Sequence, residues 1–127
     1  MVLIVFLGVW GIWFMSHKRT MTKEHYRRYM QVYRTISRDT NKSPKERYIE
    51  LDVLYHHILQ SLGYTGSFGS ILKQSPVVVK DLDTIWRLHK LRNRLVHEMQ
   101  TISDREIENA LTQYLRETKD ILSRYAS

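Results

Sequence analysis

The sequence predicts a long helix from Asp81 to about Met99, and the polar residues on it are the ones most able to do chemistry. Stepping 100° per residue puts Leu88, Leu91 and Leu95 on one apolar arc and Leu82, Ile85, Trp86 and Val96 on another. Arg92 falls between the arcs, while His89, Asn93 and His97 follow at i,i+4 steps along the second. Four polar residues therefore occupy a side that the pattern assigns to burial or to a subunit contact. An unpaired buried guanidinium is strongly disfavoured, so Arg92 requires an acid partner, a wet cleft or a ligand anion. Asp52, Glu50 and the acids of the last helix are the candidate partners. Arg87, Lys90 and Arg94 gather with Asp83 and Glu98 on an ordinary solvated face. With Arg92, those three cations make a local basic patch that could bind an anion.

Other chemistries find less support. The chain has no cysteine, which excludes a disulfide scaffold, a thiolate metal site and a cysteine nucleophile. The adjacent His56 and His57 point in different directions on a helix, His97 has Thr101 where a second ligand would stand, and His89 lies eight residues from His97, so no metal and no cofactor is expected. The glycines of Gly63 to Gly69 are not followed by Lys-Ser/Thr, as a phosphate loop requires. Tyr26, Tyr29 and Tyr33 offer a stacking surface, but at helical spacing they read as core or membrane-interface packing.

The run Arg92-Asn93-Arg94-Leu95-Val96-His97 resembles the R-polar-x-x-x-H signature of the HEPN superfamily, with the likeness extending over the bundle from about Thr20 to Ser127. Its members are four- or five-helix bundles carrying that motif on the third long helix. The resemblance implies metal-independent RNA cleavage in a cleft between two subunits, by attack of a 2′-hydroxyl on the adjacent phosphate. Arg92 would bind or polarise that phosphate, His97 would act as general acid/base, and Asn93 would orient the phosphate or the histidine. Arg92 and His97 are five apart, about 140° around a helix, so they need a helix end or a second subunit to grip one phosphate. Alternatively, Arg92 is neutralised inside the bundle and His97 simply sits at a helix C-terminus, where the dipole favours it.

The elements that must position these residues are legible from caps and spacing. From Thr20 to about Arg38, Tyr26, Met30, Tyr33 and Ile36 mark an amphipathic first helix. Ser43-Pro44-Lys45-Glu46 opens a second with a capping box, its stripe is Ile49, Leu51, Leu54, Tyr55, Ile58 and Leu62, and Gly63 stops it. One or two helical turns precede Gln74. Ser103-Asp104-Arg105-Glu106 opens the last helix, with Ile102 and Ile107 as a hydrophobic staple. The predicted fold is all-α, an antiparallel four-helix bundle preceded by one N-terminal transmembrane helix.

The charge of +7 over 127 residues sits almost wholly beside that first segment. Met1 to Met15 carry no charge, Ser16 to Arg47 hold ten basic and three acidic residues, and Tyr48 to Ser127 hold ten of each. The apolar run spans only ~22 Å of a ~30 Å hydrocarbon core, so it draws on Ser16, on snorkelling from Lys18 and Arg19, or on local thinning. Positive charge after it places the C-terminal side in the cytoplasm and the N-terminus outside, with Trp10 and Trp13 near the interface. A buried core helix is the alternative. The expected organisation is an anchor over 1–16, a basic juxtamembrane helix over 17–42 that is the first of the bundle, and the rest of the bundle over 43–127. Lys18, Arg19, Lys23, Arg27 and Arg28 would meet anionic headgroups.

Two functions remain open on sequence: a membrane-held interaction or dimerisation module, or an endoribonuclease acting through Arg92 and His97, with Arg87, His89, Lys90, Asn93 and Arg94 as binding residues. The expected partners are the membrane, a second copy of the chain and, in the second case, RNA.

Overall fold

The computed structural model describes residues 20–97 and 101–126, and these form helices joined by turns, with no strand among them. In chain order the helices are α1 (Lys23–Arg38), α2 (Pro44–Ser61), α3 (Phe68–Lys73), α4 (Leu82–His97) and α5 (Asp104–Tyr125). Four are long, as the spacing predicts, and α3 is the short turn-and-a-half before Pro76.

Each helix begins where a small polar side chain can take an orphan backbone N–H. Thr22 accepts from His25, Ser43 from Glu46, Ser67 from Ser70 and Ser103 from Glu106. Asp81 does the same for Thr84 and also accepts its hydroxyl. Pro44 occupies the first turn of α2, where its missing N–H costs nothing. At the other end of α2, Gly63 adopts φ +100°. Its N–H reaches Gln60 O, and the Tyr64 N–H reaches Leu59 O, the pairing that closes a helix through a left-handed residue. Arg47 finishes α1 from outside: its Nε donates to Ile36 O at 2.8 Å and its Nη2 to Ser37 O at 3.0 Å.

The second helix is the centre of the packing, touching α1, α4 and α5. Its Leu51, Leu54, Tyr55, Ile58 and Leu59 are buried, together with Ile85 and Leu88 of α4 and Ile107, Leu111, Tyr114, Ile121 and Leu122 of α5. Tyr114 lies between two tyrosines of α2, with ring centroids 5.4 Å from Tyr48 and 5.7 Å from Tyr55. Tyr48 satisfies its buried hydroxyl by donating to Leu88 O at 2.6 Å. Two contacts set α4 against α5: Arg87 Nη2 donates to Gln113 Oε1 at 2.6 Å, and Arg94 Nη1 lies 4.0 Å from Glu106 Oε1. Moving forward seven residues on α4 moves back seven on α5, so the two helices are antiparallel.

Several expectations are adjusted. The first helix starts at Lys23 rather than Thr20, because Thr22 caps it in extended backbone and the Met21 N–H is turned away to donate to Tyr125 O at 3.2 Å. Val96, on the arc assigned to burial or to a subunit contact, is not buried within the chain: it is 44% exposed. Trp86 is half-buried. Among the described residues no helix is long and apolar enough to cross a membrane. The expected anchor over 1–16, with Trp10, Trp13, Lys18 and Arg19 around it, lies outside the described residues.

Candidate functional site

The polar side of α4 converges on one carboxylate. Asp52 stands on a flank of the apolar stripe of α2, only 4% exposed. Tyr114 Oη of α5 donates to its Oδ1 at 2.7 Å. Burial, and then the Asp52 charge, push the Tyr114 phenol well above its ordinary range, so the hydroxyl keeps its proton and stays a donor. His89 of α4 is 9% exposed, and its Nδ1 lies 3.2 and 3.3 Å from the two Asp52 oxygens. For this contact to be a hydrogen bond to a carboxylate oxygen, Nδ1 has to be a ring nitrogen that carries a hydrogen. Phe68 of α3 stacks on the imidazole at 4.4 Å and is itself stacked on Tyr55. His56, one turn beyond Asp52 on α2, stacks on Phe68 at 5.5 Å, and its Nε2 is 2.9 Å from Gly66 O.

Arg92 reaches the same carboxylate less closely. Its Nε is 3.7 Å from Asp52 Oδ2, an ion pair beyond hydrogen-bond length, and that buried nitrogen has no hydrogen-bond partner. The side chain is 28% exposed, and its Nη1 donates to Asn93 Oδ1 at 3.2 Å. Of the alternatives open to Arg92, the structure therefore contains the acid partner. His97, the last described residue of α4, is exposed, and no hydrogen bond or ion pair joins it to Arg92. The motif is thus divided within the chain: Arg92 and Asn93 are together, half-buried, and His97 stands apart.

The remaining predicted residues on α4 face a separate region. Arg87, Lys90 and Arg94 line an open groove of about 1020 Å³ between α4 and α5, joined by Trp86, Leu91, Asp83 and, from α5, Arg105, Glu106, Asn109, Ala110 and Gln113. Lys90 Nζ lies 5.6 Å from the Trp86 ring centroid. On α1, Lys23, Arg27 and Arg28 are exposed, and Arg28 pairs with Glu24 at 3.5 Å. Tyr26, Tyr29 and Tyr33 pack partly buried against the core, and burial raises the Tyr33 phenol above its ordinary range. Among the described residues no cluster of three His, Asp or Glu side chains could hold a metal ion.

The sequence leaves Asp52 as one of several acids that could meet Arg92, and spacing alone does not single out Tyr114. Both carried a signal: an acid on the flank of a buried stripe, and a core phenol whose hydroxyl has to find an acceptor. Phe68 carried none. No family model matches the chain, and neither the curated proteins nor the solved structures contain a match to it.

Proposed function

We propose that this chain is a single-pass membrane protein whose cytoplasmic HEPN-like four-helix bundle is a non-catalytic interaction and dimerisation module. In this reading, residues 1–16 cross the bilayer with the N-terminus outside. The cations of 17–42 lie against anionic headgroups, consistent with the exposure of Lys23, Arg27 and Arg28 on α1. The observation that carries the non-catalytic part is the placement of Arg92: its Nε is turned to Asp52 at 3.7 Å, inside the bundle, while His97 stands exposed at the end of α4. A guanidinium already facing a buried carboxylate is poorly placed to take a phosphate, and the general acid/base is not beside it.

The second reading, a metal-independent endoribonuclease, is favoured by one detail. Arg92 Nε has no hydrogen-bond partner and the side chain is 28% exposed, so its guanidinium is not saturated by the fold. A dimeric cleft could then bring His97 of a second copy to it. The two readings separate when the full chain, in neutral detergent, is incubated with single-stranded RNA and EDTA beside His97→Ala. A folded dimer that leaves RNA intact supports the module; cleavage abolished by the substitution supports the nuclease. Alkaline extraction of membranes tests the anchor, since release into the soluble fraction would contradict a spanning helix.

A further inference from the structure

The α4/α5 groove has a charge order along its length that restricts what fits it. The antiparallel pairing of Arg87 with Gln113 and Arg94 with Glu106 places Asp83 toward one end and Glu106 toward the other. Between and beside them stand Arg87, Lys90, Arg94 and Arg105, four cations against two carboxylates among the described residues. The floor is carbon, Leu91 and Ala110, both nearly buried, with Trp86 as a half-buried wall. Asn109 and Gln113 add amides on the α5 side. From Asp83 to Arg94 the wall is ~17 Å long, about three turns of helix.

We propose that this groove docks a short, acidic, amphipathic helix of a partner protein. Its apolar face would pack on the half-buried Trp86 ring, and its acids would reach the exposed Lys90 and Arg105. The positive groove favours an acidic occupant over a basic one. The half-buried Trp86 ring gives an apolar helix face something to bury, which a sugar-phosphate backbone does not have. A carboxylate toward each end admits a ligand of about the groove's length and opposes a longer polyanion running through it. The inference rests on the interaction-module reading and names the partner of that module.

The test uses the full chain in neutral detergent and a displayed library of helix-forming peptides of about 14 residues with randomised charge, roughly matched to the groove. The variant Lys90→Glu/Arg105→Glu changes two exposed residues, and circular dichroism checks that it folds. The selected peptides are expected to be rich in Asp and Glu on one face and apolar at i, i+3 and i+4. Their affinity should fall about ten-fold or more on the variant, and lysine-for-glutamate versions should regain it there. Selection without acid bias, affinity unmoved by the charge reversal, or displacement of the best peptide by a short single-stranded RNA that binds more tightly would each overturn the proposal. Sedimentation of the same samples keeps the two readings apart. A chain that self-associates but selects no acidic peptide overturns this inference alone, and a monomer that selects acidic peptides supports it while removing dimerisation.

Discussion

Tyr114 of α5 donates its hydroxyl hydrogen to Asp52 of α2 across 2.7 Å, and both groups are buried. The bond joins the two helices that meet in the middle of the bundle, and it settles a carboxylate that the apolar surroundings would otherwise reject. Tyr114→Phe removes one charge-assisted donor and leaves the ring packing intact, so it is expected to cost about 1.5–3 kcal/mol. Asp52→Ala leaves Tyr114 and His89 without their common acceptor and Arg92 without its counter-charge, and the expected cost is about 3–5 kcal/mol. Because the two changes remove the same interaction, the double variant should be less destabilised than the sum of the single ones. Thermal unfolding of the four proteins measures this. Strict additivity would mean that the bond contributes nothing to the fold.

How far this cluster was readable in advance follows from where its members lie. His89, Arg92 and Asn93 share one helix, and 100° stepping was enough to show that they interrupt an apolar side. Their partners come from α2 and α5, and Asp52 is 37 residues from His89 and 62 from Tyr114. Periodicity within a helix says nothing of which residue of another helix crosses over it, so the acid partner could be named only as one of several. Helix starts were more legible, because Ser43 and Ser103 cap through neighbours three residues away. The exposure of Val96 has a related reason: a helical pattern shows an apolar face, but not which neighbour covers it.

Arg92 should matter less to stability than its neighbours on the carboxylate. At 3.7 Å, with its Nε unbonded, it contributes charge but no well-formed hydrogen bond. Arg92→Met, which keeps the aliphatic stem, is expected to cost about 1 kcal/mol or less, in the range of weak ion pairs. His89→Ala, which also removes the stack on Phe68, should cost about 2–3 kcal/mol through lost packing and the carboxylate's lost donor. Chemical denaturation checks the order. If Arg92→Met were the more damaging of the two, the arginine would be a structural partner of Asp52 in full, with nothing left over for a ligand.

Two glycines before and within α3 should respond oppositely to alanine. Gly69 is helical, and a Cβ there would meet only His89 Nε2, at 4.0 Å, an ordinary contact. Gly69→Ala is expected to stabilise by about 0.5–1 kcal/mol through helix propensity. Gly66 has φ +103°, and a Cβ there would lie 2.7 Å from Ser70 Oγ, which itself donates to Ser67 O. Gly66→Ala should therefore destabilise by about 1–2 kcal/mol. Melting temperatures moving in the same direction for both would contradict the positions of these two residues.

Glu117 on α5 provides a pH signature. Burial, followed by the charges of Asp81 and Asp120, raises its carboxyl above the ordinary value, while Arg124 and Arg116 oppose the shift. A carboxyl whose pKa rises on folding disfavours the folded state once it is ionised, so its penalty is full above the folded pKa and absent below the unfolded one. Glu117→Gln removes the charge. At pH 7 the variant is therefore expected to melt higher than the parent, and the gap should close as pH falls through the raised folded value, vanishing below about pH 4, where the parent is protonated in both states. Melting curves of both proteins across that range decide it: a gap that stays constant with pH would show that the gain comes from packing or propensity, and that the carboxylate is not strained by its surroundings.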